Sequence, residues 1–388
     1  MLWSYLQSFN LFTEYVHTKV GQNMKILVIW RLLTVGGVNA GWRNRAMFFK
    51  KYGIETEFLY TSDLGGMHMM QDVARVYLTA DSNESIKIIR DNHYDAIVVV
   101  DTKEAYRWLK TAQYTGPVIV EARTPEIIKL SPHLSNFQGI QPVQIIVPSS
   151  YQKRVVSILC NSAPITVIHN GVDTDLFQPV SSEASTKLPF LTRPNFKKIV
   201  GWIGRLDKRK NWHMLLKIAK LVKTERNDIE FWIIGGNKSV QKEKFWTKWY
   251  EKELTDIVRW FPIVPYQHMP YVYSRILESG GCTLATTRAE SFGNTFIESM
   301  ACGVPVIAAS VSSIPEIIKH GENGRLYQEN HVRGAVNQLY RLLDSHEMYQ
   351  AMSQACIERV ATHFDITICA KQYVDFLHRV VKKEGSDS

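Results

Sequence analysis

Apolar residues along this chain gather into short runs, and stretches of mixed, helix-like character separate them. In the first half the runs are Lys25–Trp30, Glu55–Tyr60, Ala96–Val100, Val118–Val120, Val143–Val147 and Ile165–Ile168. They are rich in branched side chains, as in strands buried on both faces of a parallel sheet. Leu32–Gly41 follows the first run and carries Gly36, Gly37 and Gly41; a helix is predicted next, over Trp42–Tyr52. Ser181–Lys198 breaks the alternation. It is rich in Ser, Thr, Pro and Lys, has little periodicity, and reads as a linker.

The alternation restarts with Ile199–Ile203, Phe231–Ile234, Val258–Ile263, Cys282–Thr286 and Val304–Ala309, and helices are predicted over Trp212–Lys223 and Asn294–Cys302. A last helical stretch, Ile366–Lys382, comes after the second sheet is complete and is expected to pack back toward the first unit. The expectation is an α/β protein of two Rossmann-like domains facing across a cleft. Residues 24–180 form the first domain, 181–198 the linker, 199–360 the second domain, and 361–388 the returning segment. Ligands of open α/β sheets bind at the carboxyl ends of the strands, which here means in the cleft.

Residues 1–23 stand outside this scheme. Leu2, Leu6, Phe9, Val16 and Val20 keep a helical spacing. The stretch lacks the basic start and small-residue cleavage site of a signal peptide. It reads as an extra packing helix, as residues upstream of a start at Met24, or as an interfacial membrane helix; the lack of a Lys/Arg face counts against the last. No apolar run reaches the roughly 20 residues that span a bilayer.

The 388 residues suit two domains of about 150 to 200 residues. A hydrophobic share of 45% with 21% charged residues excludes a disordered chain. The net charge of +9 favours anionic partners. The basic residues are scattered, so phosphorylated ligands are expected rather than nucleic acid. One local group, Arg43, Arg45, Lys50 and Lys51 around Met47, Phe48 and Phe49, reads either as a face that docks on anionic membrane or as a buried Rossmann helix face with solvated cations opposite. Five cysteines, Cys160, Cys282, Cys302, Cys356 and Cys369, form no Cys-x-x-Cys pair, which fits reduced cytoplasmic thiols.

Two stretches carry candidate chemistry. Glu290-Ser-Phe-Gly-Asn-Thr-Phe-Ile-Glu298 follows a strand and opens a helix. Gly293 would let a ligand approach the backbone beside Phe292, and the N–H groups of Asn294 and Thr295 would face phosphate at the helix N-terminus. Glu298 is placed to accept hydroxyls of a ribose, and Glu290 to hold a sugar. A capped helix alone would account for one glutamate, not for two around a Phe-Gly turn. The second stretch is Gly201-Trp-Ile-Gly-Arg-Leu-Asp-Lys-Arg-Lys-Asn211, in which Arg205 and Lys210 flank a short loop and could clamp a diphosphate.

Taken together, these residues resemble the retaining glycosyltransferases of family four, with the GT-B fold, over nearly the whole chain from Met24. The two glutamates around Phe292-Gly293, with Ala301-Cys-Gly-Val-Pro305 after them, look like that family's signature, and Gly204-Arg-Leu with Lys210 looks like its pyrophosphate clamp. Val147-Pro-Ser149, Ile168-His-Asn-Gly-Val-Asp173 and Val35-Gly-Gly-Val38 are similar to further motifs of the family. The resemblance implies transfer of a hexose or N-acetylhexosamine from a nucleoside-diphosphate sugar to a glycan, lipid-linked or small-molecule acceptor. Retention at the anomeric carbon is implied, with no catalytic metal and no cofactor. Glu290, Arg205 and Lys210 would act on the reacting groups, Gly36 and Gly37 would approach the phosphates from the first domain, and the base would meet backbone at Ile263 and Val264. Asp173-Thr-Asp175 would lie at the domain joint rather than hold a metal. Work in the cytoplasm is implied, with peripheral contact at the inner membrane face for a lipid-linked acceptor.

One departure stands out. Where the family carries a histidine that contacts the donor sugar, this chain reads Glu121-Ala-Arg123. Glu121 and Arg123, with Asn39, are the candidates for contact with sugar or acceptor. Two other readings remain: a nucleotide-sugar 2-epimerase or phosphorylase on the same scaffold, and a non-catalytic sugar- or lipid-binding protein.

Overall fold

The computed structural model describes residues 23–34, 36–181, 191 and 197–384. The helix expected within residues 1–22, Val35 and most of the linker lie outside the described residues. Two parallel sheets make up the architecture. The first has the order β3-β2-β1-β4-β5-β6-β7, with β1 Met24–Thr34, β2 Ile54–Leu64, β3 Arg75–Leu78, β4 Ala96–Val100, β5 Val118–Glu121, β6 Gln144–Val147 and β7 Ile165–Val167. The second has the order β10-β9-β8-β11-β12-β13, with β8 Lys198–Ile203, β9 Ile229–Ile234, β10 Val258–Phe261, β11 Cys282–Ala285, β12 Val306–Ala309 and β13 Gly324–Tyr327. Each order reverses at a central strand, β1 or β8, where an open sheet leaves a crevice at its carboxyl edge.

The central strand β1 shows why the apolar runs were informative. Ile26 and Val28 pack with Trp42 and Phe49 on one side of the sheet, while Leu27 and Ile29 pack with Ile97 and Leu109 on the other. The strands at the outer edges, β3 and β13, left no such run. Arg-Val-Tyr-Leu and Gly-Arg-Leu-Tyr are short and polar-flanked, and β3 has no buried residue.

Strand β1 runs on to Thr34, and the helix begins at Gly37, earlier than expected, and ends at Lys50. Its inward face corrects one reading of the sequence. Arg45 is 1% exposed and Phe48 and Phe49 are buried, while Arg43 pairs with Asp72. Of the proposed docking group Met47, Lys50 and Lys51 are exposed and Arg43 is half-buried. The 3.6-residue period accounts for this, since residues 42, 45, 46 and 49 share the face that meets the sheet. Among the described residues no helix is long and apolar enough to cross a membrane.

The helix Ile366–Glu384 packs on Gly37–Lys50. The Tyr373 ring lies 5.7 Å from the rings of both Trp42 and Phe49. Backbone bonds between Val172 and the Phe364–Ile366 turn bring it there, and Thr174 bonds Asp365 beside them. The two domains also meet directly. Ser149 donates to the Ser291 carbonyl at 2.7 Å, and the Glu316 carboxylate takes the N–H groups of Ser150 and Tyr151 at 2.8 and 2.6 Å. A carboxylate from one domain thus sits on the positive end of a helix, Ser150–Leu159, of the other.

Candidate active site

The cleft is built around two helix N-termini. Helix Asn294–Ala301 starts after Gly293, whose φ of +113° is a conformation that L side chains rarely adopt, and a Cβ there would stand 2.5 Å from the Phe296 ring. No side chain caps this helix and its first turn holds no acidic residue. The same is true of helix Gly37–Lys50. The two helices touch end to end: Asn294 Nδ2 donates to the Gly37 carbonyl at 2.7 Å, and the Gly37 Cα faces the Asn294 side chain. Two positive dipole ends therefore converge with no acidic residue in either first turn, an arrangement suited to phosphate.

Beside them lies the acidic end of the signature loop. Ser313 Oγ donates to the carbonyls of Glu290 and Phe292 and holds the loop in place. Lys210 Nζ is 2.7 Å from Glu290 Oε2, and Arg209 Nη1 is 3.4 Å from Oε1. Burial alone would raise the Glu290 carboxyl; the two cations beside it hold it down at about 2. Arg209 was not singled out in the sequence, where it is one of three consecutive basic residues. Arg205 was, and here its guanidinium lies on Asp207 with the side chain 47% exposed, turned away from Glu290.

Glu298 sits one helical turn further in and is buried. Tyr273 donates to its Oε2 at 3.2 Å, and the Tyr266 hydroxyl bears on it too. Burial pushes its carboxyl up to about 7, against the pull of both hydroxyls. Nothing in the local sequence pairs these tyrosines with Glu298. Thr295 accepts from Tyr273 through its carbonyl. Phe292 is buried between the rings of His169 and Phe364, so its side chain packs the domain junction rather than facing the cleft. Ile263 is 62% exposed at the end of β10 and Val264 is buried behind it.

Three first-domain candidates turn inward. Asn39 is fully buried, donating to the Thr34 carbonyl and accepting from Tyr60; its amide is used up inside the domain. Glu121, also fully buried, bonds Arg45, Arg123 and the Trp42 indole. Arg123 is 4% exposed and bonds Glu121 and Asn170. These residues brace the cleft from behind, because a charge in a domain interior is retained only beside its counter-charge. Among the described residues no group of three or more His, Cys, Asp or Glu could hold a metal ion. Asp173 caps its own turn at Asp175 and Leu176.

This architecture is that of the GT-B glycosyltransferases. It superposes on Anabaena Alr3699/HepE, solved in complex with UDP and glucose, with a TM-score of 0.78 at 17% identity, covering 92% of this chain and all of that one. It also superposes on sucrose-phosphate synthase of Thermosynechococcus elongatus with a TM-score of 0.79 at 17% identity, covering 93% of this chain and all of that one. Residues 186–359 match the model of the family "Glycosyl transferases group 1". Curated relatives include D-inositol 3-phosphate glycosyltransferase of Thermobispora bispora, 26% identical over 204 residues, 51% of this chain and 46% of the relative. N-acetyl-alpha-D-glucosaminyl L-malate synthase of Bacillus anthracis is 32% identical over 111 residues, 29% of each chain. The chain thus spans less than half the length of the curated relatives it matches first.

Proposed function

We propose that this chain is a retaining, metal-independent glycosyltransferase that moves a hexose or N-acetylhexosamine from a nucleoside-diphosphate sugar to an acceptor hydroxyl. The acceptor is a glycan, a lipid-linked sugar or a small molecule. The observation that carries the reading is the meeting of two uncapped helix N-termini, one from each domain, at Gly37 and Asn294, with Lys210 and Arg209 alongside. Charge that grows on a leaving diphosphate would be met there by preorganised N–H groups and cations, without a metal. Arg205, half exposed, is free to swing from Asp207 onto the same diphosphate.

In this reading Glu298 accepts ribose hydroxyls and Glu290 receives those of the transferred sugar. Glu290 stays ionised beside its two cations, so it orients and does not donate a proton. A donor phosphate oxygen takes the acceptor proton. The named activities of the relatives support transfer over epimerisation: one is a glycosyltransferase acting on D-inositol 3-phosphate, the other a glucosaminyl L-malate synthase. The described cysteines are all unpaired and buried, which supports work in the reducing cytoplasm. Peripheral contact with an anionic membrane belongs to the same reading for a lipid-linked acceptor, with Met47, Lys50 and Lys51 as the exposed part of the first-domain helix.

The test is a calorimetric screen of UDP, GDP, ADP and TDP, followed by release of the bound diphosphate from its sugar with and without candidate acceptors. Acceptor-dependent release supports transfer. Conversion of the nucleotide sugar to its 2-epimer without acceptor would support the epimerase, and binding with neither release nor epimerisation would support the non-catalytic protein.

A further inference from the structure

A chain of four side chains links the interior of the first domain to the donor helix, and its polarity is determined at one end. Arg45 Nη2 and Arg123 Nη1 both donate to Asn170 Oδ1, at 2.9 and 2.8 Å. Two guanidinium donors on one atom identify that atom as the amide oxygen, so the other end of Asn170 is its NH2 group. That group donates to Asn294 Oδ1 at 2.8 Å. Asn294 is thereby oriented with its own NH2 toward the Gly37 carbonyl, at 2.7 Å. Had Asn170 been turned over, Asn294 would face Gly37 oxygen to oxygen.

The charge balance explains why Asn170 is held so firmly. Arg45 and Arg123 share the single carboxylate of Glu121, at 3.3 and 2.7 Å, and all three residues are buried. Asp101 lies beside Arg123, but its carboxylate takes the Arg123 backbone N–H and the Thr124 hydroxyl rather than a guanidinium. Asp101 acts on Arg123 through space only, so both guanidiniums place their side-chain hydrogen bonds on Glu121 and on the amide oxygen of Asn170. Charge-assisted bonds polarise an amide and strengthen the bond that its N–H group makes next.

Resting on the glycosyltransferase reading, we propose that Arg45 and Arg123, acting through Asn170, are positioning residues that hold Asn294 on Gly37 and so keep the two helix N-termini aligned around the donor diphosphate. They touch neither donor nor acceptor. They set the geometry of the groups that do.

Asn170→Asp separates this role from simple burial of an ion-pair cluster. Aspartate has nearly the same shape and still accepts from both arginines, now as a carboxylate beside two guanidiniums. It cannot donate to Asn294. Asn294 must then either turn its NH2 toward Asp at 170 and release Gly37, or keep Gly37 and set its oxygen against the carboxylate. Asn170→Ala, by contrast, removes the acceptor and leaves two buried guanidiniums without it, so it should lower Tm.

Three measurements on the full chain decide the matter: Tm, hydrogen exchange of residues 36–41 and 293–298 in the ligand-free protein, and kcat/KM for the nucleotide sugar that the wild type uses. Asn170→Asp is expected to melt at or above the wild-type temperature, to exchange faster in both segments, and to lose about tenfold in kcat/KM, the worth of one good hydrogen bond. Unchanged exchange in both segments, or a Tm as low as that of Asn170→Ala, would overturn the proposal. A wild-type protein that binds no nucleoside diphosphate would sink the functional reading separately, and the exchange comparison would still decide whether Asn170 aligns the helices.

Discussion

Lys210 and Glu290 form an ion pair, 2.7 Å from Nζ to Oε2, and Arg209 reaches the other oxygen of the same carboxylate. In the ligand-free cleft the cations proposed to hold the diphosphate are thus occupied by the protein's own anion. Donor binding must share or displace that anion.

Glu290→Gln is therefore expected to tighten nucleoside diphosphate binding by about tenfold, the scale of one charged hydrogen bond returned to the ligand. Turnover should fall at least as much, because the sugar loses its carboxylate. Calorimetry with the diphosphate alone, set against single-turnover release, checks both halves. Weaker binding with turnover intact would exchange the roles assigned to Glu290 and Glu298.

Lys210→Ala and Arg205→Ala should each weaken diphosphate binding, by about 1.5–3 kcal/mol or roughly ten- to a hundredfold. Their effects on folding should differ. Arg205 is half exposed and pairs only with Asp207, so its loss should leave Tm unchanged. Lys210 is largely buried on Glu290, so its loss should lower Tm. Equal affinity for the diphosphate in the wild type and both variants would remove the clamp.

The two glutamates should mark two separate pH windows. Glu298 has its folded carboxyl raised to about 7 by burial, so the folded state holds a proton that the unfolded chain gives up from its usual value near 4.5. Stability should fall as pH rises from about 4.5 to about 7, then level off. Glu290 is the reverse case. It is held at about 2, and its contribution is present above 4.5 and lost as pH falls toward 2. Glu298→Gln should flatten the upper window of a Tm-against-pH curve and leave the lower one. It should also weaken nucleoside binding most above pH 7, where the wild-type carboxylate is charged and free to accept ribose hydroxyls. A curve unchanged by the substitution would argue that Glu298 titrates normally.

Transfer should persist in EDTA. The motivation is the pair of uncapped helix N-termini together with Lys210 and Arg209 on Glu290, which would supply positive charge without an ion. Complete loss of turnover in chelator, restored by manganese or magnesium, would replace this account with a metal-assisted one.

If the acceptor is carried on a lipid, the protein should sediment with anionic vesicles, stay in solution with neutral ones, and be released by high salt. Lys50→Glu with Lys51→Glu should weaken that contact, since these two lysines are the exposed cations of the first-domain helix. Arg45→Ala should not be used as a test of lipid binding, because that side chain is buried in the domain. Protein that stays in solution with both vesicle types would point to a small soluble acceptor.

The sequence by itself determined the two Rossmann-like parallel sheets and the loop-and-helix stretches at 201–211 and 290–298. These are local properties. Branched apolar runs record burial on both faces, a glycine at a positive φ is needed at Gly293 whatever surrounds it, and basic residues in one loop are neighbours by construction of the chain. Strand β3 escaped because none of its four residues is buried, and β13 because Gly-Arg-Leu-Tyr, though mostly buried, holds a single aliphatic side chain. What the tertiary structure alone decided is which faces meet. Periodicity shows that Arg45 and Phe49 share a side of their helix, but not that this side faces Tyr373 and Glu121 rather than water. Nor could it show that Asn39 spends its amide on Thr34 and Tyr60, that Arg209 rather than Arg205 reaches Glu290, or that Tyr273 lies on Glu298. The contact on which the cleft depends, Gly37 to Asn294 with Asn170 behind it, joins residues more than a hundred positions apart in different domains. Such pairings follow from how two finished domains close on each other, and no local pattern in either one encodes them.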